Sequence, residues 1–461
     1  MLKRYIGDRK FYRRVFAVAL PIIAQTGITN FVSLLDGIMV GQIGSVQMNG
    51  VAIVNQLLFV FNLCVFGATS GAGIFTAQFF GSGNPEGMRS TFRFKVLVGA
   101  LLSVLGITVL LTFGKDLIQL YLKGEGSPES AAQSLAYGWD YLTLMLWGLP
   151  AFALCNAYSG TLREANQTFI PMISGVTAVL VNLGLNYVLI FGHFGAPAMG
   201  IRGAALATVV SRYVELSIVA VWTYLHSRTN PFIVGAYRSM HIPKGLLGSI
   251  IVKGMPLMIN EALWSIAMAF LNQTYSTRGQ DVVTAINISS TLYNLSSVVY
   301  MSLGNAVGII IGQMLGAGES AEKVRDSDRK LIVTSVASCL LFGGIMASCS
   351  GIFPMVYNTS DAVRQLATKL ICIGAFMMPF NAYTHCAYFT LRSGGQTFVT
   401  FLFDSCFMWC LVVPLAFLLS RFTDLPIIPL YAICQATDFV KCGIGAYMIH
   451  KGSWIQNLTV K

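Results

Sequence analysis

Five carboxylates stand inside stretches of sequence that are otherwise almost wholly apolar: Asp36, Glu215, Glu261, Asp404 and Asp438. An ionised side chain at mid-bilayer costs about 2.5–3.5 kcal/mol or more, so each requires a partner, a bound ion or a proton. The bland use of such a group is an interhelical hydrogen bond that fixes packing. Two of the five have a basic residue three positions away: Glu215 with Arg212, and Asp438 with Lys441. That spacing closes an intrahelical ion pair. Asp140 falls close to the end of an apolar stretch, where water reaches it. Asp36, Glu261 and Asp404 are left as the candidates for chemistry.

Depth along the chain groups them further. Asp36 lies about one turn from the outer end of the first apolar stretch, at about 1.5 Å per residue. Asn186, in the fifth stretch, sits at a similar depth, with Asn182 one turn deeper on the same face. Thr208, early in the sixth, reaches a comparable level. One carboxylate, two amide oxygens and a hydroxyl at one depth form a small oxygen-lined site suited to Na⁺, a hard cation. Alternatively Asp36 takes up a proton, since desolvation favours the neutral carboxyl; the two amides can also simply satisfy each other. Glu261 lies about 14 residues, roughly 20 Å, from the inner end of the seventh stretch, and Asn381 in the tenth reaches a similar level. With Asp404 in the eleventh they make a second candidate group, for an ion or for substrate. His385 is either a hydrogen-bonded histidine inside a bundle or a pH sensor. No metal site beyond Na⁺ at Asp36, and no other cofactor, is indicated.

The elements that carry these residues follow from composition. With 55% hydrophobic and 11% charged residues, the chain is not a soluble domain. A bilayer core takes about 20 apolar residues, and twelve such stretches can be read: roughly 15–40, 49–79, 94–113, 136–160, 170–191, 202–226, 247–275, 284–312, 331–352, 366–390, 398–420 and 428–449. The expected fold is therefore an all-α membrane protein of twelve transmembrane helices. Residues 21–84 align without a gap on 256–319, so that Pro21 falls on Pro256, Gly44 on Gly279 and Gln78 on Gln313. A second block pairs the Leu162–Phe169 stretch with Leu391–Phe398. Six spans per half return the chain to one side, which predicts two six-helix bundles related by a pseudo-twofold along the membrane normal. The bundles are expected at 1–226 and 247–461, joined by a polar linker at 227–246.

Charge orients the chain. With the N-terminus inside, the termini and inner loops carry 20 of the Lys and Arg residues, six of them between Lys3 and Arg14, against seven in the opposite loops, Lys123 among these. The positive-inside rule then puts both termini in the cytoplasm, and the net charge of +11 becomes an inner collar facing anionic lipid. Nucleic-acid binding is not the expected use of this charge. The ten cysteines lie in or at the ends of apolar stretches without metal-ligand spacing, and read as small buried hydrophobes. The first stretch is too long for a signal peptide and lacks a cleavage site. No GxxxxGK[ST] pattern occurs, so the chain carries no nucleotide site of that type.

The chain resembles the multidrug and toxic-compound extrusion (MATE) transporters over nearly its whole length. The resemblance rests on Pro21 through Asp36 with Val40–Gly44, on Gln78–Gly83, on the run from Asn182 through Asn186 to Gly192, on Gly200–Thr208, and on Leu391–Thr397. It implies two lobes enclosing a central cavity that opens alternately to either side, and export of lipophilic, often cationic compounds in exchange for Na⁺ or H⁺. It matches Asp36 to the family's helix-one ion-site aspartate, Asn182 to its helix-five asparagine and Glu261 to the helix-seven glutamate of one branch. Two positions depart from it: Asn186 and Asn381 stand where such proteins usually or often carry aspartate. Each removes a charge from a proposed cation site.

The expectation is thus a secondary active antiporter, not an enzyme, in a bacterial-type plasma membrane. Its partners are small organic substrates and the lipid bilayer, and a monomer suffices. The competing reading keeps the scaffold and changes the cargo to an endogenous metabolite or lipid-linked intermediate. A membrane enzyme would need clustered His, Asp or Glu near one interface, which the sequence lacks, and no filter-like segment suggests a channel.

Overall fold

The structure, a computed structural model, describes residues 5–122 and 128–459. Lys3, Arg4, Lys123 and Lys461, counted above among the basic residues, lie outside the described residues. Long helices dominate: α1 (Arg9–Gly41), α2 (Ser45–Gly81), α3 (Pro85–Leu122), α4 (Pro128–Met145), α5 (Gly148–Glu164), α6 (Phe169–Phe191) and α7 (Ile201–Leu225), then α8 (Lys244–Ser276), α9 (Gln280–Gly316), α10 (Ala321–Cys349), α11 (Asp361–Ser393), α12 (Thr397–Phe422) and α13 (Ile427–Lys451). No strand occurs among the described residues.

Eleven of these helices are each long and apolar enough to cross a bilayer, and α4 with α5 makes a twelfth span bent by 47°. The stretch read as one helix at 136–160 is therefore a broken one. Its cause is Pro150, which has no N–H to give and whose ring crowds the carbonyl of Leu146. The chain there tightens, with Trp147 N–H bonding Leu144 O and Leu149 N–H bonding Leu146 O. Pro21, Pro256 and Pro379, by contrast, sit within continuous helices. A different irregularity marks α12, which widens into π-helical turns at Leu402–Cys406 and Met408–Val412.

Two compact units form. One holds Ala24–Thr76 and Asn84–Ile251; the other holds the described chain up to Ile23, Ala77–Gly83 and Val252 onward. In the first, α6 lies along α7 while α3 and α7 pack on α5, around Val54, Leu58, Leu110, Ile118, Leu142 and Ile201. Part of the expected linker is folded into this unit. Phe232 packs on Phe92 of α3 with ring centres 5.4 Å apart, and Arg93 donates to the carbonyls of Gly235 and Ala236 at 2.9 and 2.8 Å. In the second unit α9 and α10 pack on α11, as does α13, around Leu303, Ile310, Leu331, Met378 and the fully buried Trp454.

The two Gly-rich turns of the repeat meet inside this second unit. A Cβ on Gly81 would lie 1.9 Å from the carbonyl oxygen of Gln313, and one on Gly316 would lie 1.9 Å from that of Gln78. Small residues let helix backbones approach this closely where no hydrophobic effect drives them together. Both glutamines then reinforce the crossing. Gln78 Nε2 donates to Ser393 O at 2.9 Å and Gln456 O at 3.2 Å, and its Oε1 accepts from Leu458 N–H at 2.7 Å. Gln313 Oε1 accepts from Arg14 at 3.0 Å.

Candidate cation site

Asp36 approaches from α1, Asn182 and Asn186 from one face of α6, and Thr208 from the second turn of α7. Close packing of α6 on α7 sets the last three in register. At Gly203 an added Cβ would meet the Leu189 carbonyl oxygen at 2.6 Å, so α7 can press against α6 one turn before Thr208. The short connection folds back through Met199 N–H on Leu189 O at 2.8 Å.

All four residues come together within one unit. Asn186 Nδ2 donates to Asp36 Oδ1 at 2.8 Å and to Asn182 Oδ1 at 3.2 Å, and Asn182 Nδ2 donates to Thr208 Oγ1 at 3.2 Å. Thr208 passes its own proton to Ala204 O at 3.0 Å, which leaves its oxygen as an acceptor. Asn182 and Asn186 are 6% and 2% exposed. Among the described residues, no lysine or arginine forms an ion pair with Asp36; the two arginines that flank Thr208 in sequence pair elsewhere, Arg202 with Asp140 at 2.7 Å and Arg212 with Glu215 at 3.2 Å.

Two features of the polar atoms are unusual. Asn186 Oδ1 is buried and has no hydrogen-bond partner. The Asn182 carboxamide fits its surroundings better turned over, with its nitrogen 2.8 and 3.1 Å from the two Asp36 oxygens and its oxygen toward Thr208, because a carboxylate accepts from an amide N–H and repels an amide oxygen. Sequence reading missed the neighbours Tyr141 and Asn55, hydrogen-bonded at 3.4 Å, with Tyr141 in electrostatic reach of Asp36. The available signal was an asparagine within the apolar run of α2.

The second candidate group is arranged differently from its sequence reading. Asp404 is neutralised by Lys441, with Nζ 2.7 Å from Oδ1, so Lys441 does not close the intrahelical pair with Asp438 that spacing suggested. The π-helical turn around Asp404 brings it to α13 and also to Asn260, whose Nδ2 donates to Oδ2 at 3.0 Å. Glu261 lies in electrostatic reach of Arg392 and Asp404. Asn381 joins neither; it donates to Tyr293 Oη at 3.0 Å. His385 packs among the rings of Tyr300, Tyr388 and Phe389. The cysteines, all free thiols, are less uniform than expected: Cys155, Cys339, Cys386 and Cys434 are buried, but Cys349, Cys372 and Cys410 are exposed on the protein surface.

Two buried charges escaped the sequence reading. Lys95, read as part of the inner collar, is 1% exposed and forms an ion pair with Glu164, supported by Thr161 Oγ1 at 3.3 Å. Asp328, 1% exposed, accepts the Thr390 hydroxyl at 2.5 Å. Both lie two to three turns inside their helices, on the stretch before the apolar run, where a basic or acidic residue reads as solvated.

Comparison with known proteins agrees with this architecture. The family model described as MatE matches residues 21–188 and again 256–418, the same duplication that the internal repeat displays. A probable multidrug resistance protein NorM of Thermotoga maritima is 26% identical over 457 residues, 96% of this chain and 93% of its own. The probable multidrug resistance protein YoeA of Bacillus subtilis is 25% identical, over 90% of this chain and 89% of its own. Among solved structures, the outward-facing conformation of a multidrug resistance MATE family transporter of the MOP superfamily superposes with a TM-score of 0.85 at 17% identity, covering 98% of both chains. A MOP superfamily transporter from Pyrococcus furiosus, described as having a binding pocket of reversed polarity, gives 0.83 at the same identity and coverage. With its repeated helices, its twelve spans and both halves matched, the chain belongs to the MATE family of membrane transporters.

Proposed function

We infer that this protein is a secondary active antiporter of the cell membrane, which exports lipophilic, often cationic compounds in exchange for Na⁺ or H⁺ bound at Asp36. The relatives named as multidrug resistance proteins support the cargo class. The observation that carries the coupling site is the buried group of Asp36, Asn182, Asn186 and Thr208, in which Asn186 Oδ1 has no donor. A buried unsatisfied acceptor costs about 1–3 kcal/mol, which a cation beside it removes. The unpaired Asn186 oxygen supports Na⁺ as the coupling ion.

In this mechanism N–H groups of Asn182 and Asn186 hold the Asp36 carboxylate between ion-binding events. Substrate enters from the cytoplasm, and ion binding from outside favours its release. One charge crossing 100 mV involves about 2.3 kcal/mol, so exchange of a monovalent substrate for one Na⁺ is electrically neutral. The ion gradient then supplies about 1.4 kcal/mol for each tenfold of substrate concentration.

The test is dye efflux from proteoliposomes with Na⁺ and pH gradients imposed separately. A Na⁺-driven efflux abolished by Asp36→Asn, with the variant still folded, is the expected result. Undiminished transport by that variant removes Asp36 from the mechanism. Failure to move any cationic dye turns the cargo to an endogenous metabolite or lipid-linked compound.

A further inference from the structure

The C-terminal unit gathers five charges. Asp404 is bound to Lys441; Asp438 is in electrostatic reach of Lys441 and Asp404; Glu261 is in reach of Arg392 and Asp404. The group is not sealed, since the Asp404 and Lys441 side chains are 20% and 12% exposed.

What Lys441 occupies is informative. Its ammonium group lies 2.7 Å from Asp404 Oδ1 and 5.3 and 5.9 Å from the ring centres of Phe403 and Phe407. A carboxylate with two aromatic faces is the chemistry that recognises organic ammonium groups in general. The cage is also rigidly built. Asn260 is 2% exposed and holds Asp404 Oδ2 at 3.0 Å, while its own Oδ1 accepts from Ser405 Oγ at 2.7 Å and Ser405 N–H at 3.2 Å. Phe403, Asp404 and Ser405 all lie on the π-helical turn Leu402–Cys406, an irregularity that often accompanies functional sites.

We propose that Asp404, Phe403, Phe407 and Asn260 form a binding cage for the positively charged group of an organic-cation substrate, in which Lys441 is a tethered occupant that moves to Asp438 when substrate enters. Lys441 keeps the cage neutral between cycles and competes with cargo, so it sets a threshold for affinity and assists release. Asp438, one turn before Lys441 on α13, receives the displaced ammonium at a spacing that suits an intrahelical pair. This rests on the reading of the protein as an exporter of cations, and assigns where such cargo is held; it is separate from ion coupling at Asp36.

The experiment measures ethidium binding to the purified full-length protein in nanodiscs by fluorescence anisotropy, with no gradient imposed. Lys441→Met removes the competitor and is expected to tighten binding by about tenfold, the order expected for losing one ion pair with cation–π contacts. Asp404→Asn is expected to weaken it by at least as much, and the double variant to bind as weakly as Asp404→Asn. Asp438→Asn strands the displaced lysine and should weaken binding severalfold; Phe407→Leu should do the same by removing a ring. These two decide the matter if Lys441→Met does not fold. Unchanged or weaker binding by a folded Lys441→Met overturns the proposal, as does unchanged binding by Asp404→Asn. Competition of NaCl with ethidium in the Lys441→Met variant, above that expected from ionic strength, assigns the cage to an inorganic cation and overturns it too. Asp36→Asn is expected to bind ethidium as the wild type does, so loss of coupling and loss of the cage are read apart.

Discussion

Gly316→Ala tests the crossing of the repeat's two turns in the C-terminal unit. The new Cβ would stand 1.9 Å from the Gln78 carbonyl oxygen, whereas real Cβ contacts need at least 3.0 Å. The obstacle is backbone, so no side-chain rotation relieves it and the helix ends must part by about 1.1 Å (3.0 less 1.9). Hydrogen bonds of Gln78 at 2.9, 3.2 and 2.7 Å cannot stretch that far and survive. Three bonds at about 0.5–1.5 kcal/mol each put the loss at about 1.5–4.5 kcal/mol. The assay is thermal unfolding of purified variants in one detergent. Gly443→Ala, with nothing within 4 Å of its Cβ, serves as the reference for a tolerated helical glycine. Gly316→Ala should melt several degrees lower and Gly443→Ala no lower than the wild type. Gly81→Ala breaks the same crossing, so the double variant should lose less than the sum of the two. A Gly316→Ala protein that melts with the wild type refutes the reasoning.

Other perturbations follow from single contacts. Asn186→Leu removes the orphaned acceptor and the donor to Asp36 together; it should raise the Na⁺ concentration for half-maximal efflux by tenfold or more, read in proteoliposomes. Lys95→Met removes the buried ammonium that Glu164 faces and should lower stability by up to about 3–5 kcal/mol, reduced in proportion to the 16% exposure of Glu164. Adding Glu164→Gln should recover most of the loss in the same melting assay. In detergent, a maleimide should modify Cys349, exposed at the end of α10, well before the buried Cys155, Cys339, Cys386 and Cys434, read by mass spectrometry of peptides.

Much of the fold was legible because a bilayer imposes a length and a polarity on each helix. The apolar stretches, the repeat and the pairing of Arg212 with Glu215 all followed from local pattern. The break between α4 and α5 did not, although Pro150 was visible, because a proline can equally sit in an unbroken helix, as Pro21 does. The first site was legible to the level of depth: equal distances from helix ends placed Asp36, Asn182, Asn186 and Thr208 together, and close packing of α6 on α7 did the rest. The second was not. Lys441 chose Asp404 over Asp438 because a π-helical turn redirected Asp404, and nothing in the local residues announces such a turn. Lys95 and Glu164 were likewise hidden, since proximity across two helices leaves no trace in spacing.

The compact units do not coincide with the duplicated halves. The start of α1 and the end of α2 are counted with the second unit, and the first turns of α8, up to Ile251, with the first. A protease cut between residues 227 and 246 would therefore release two fragments that each lack a piece of their own core and hold a piece of the other's. Such fragments, produced separately, should be insoluble or promiscuous, and should regain order only when mixed.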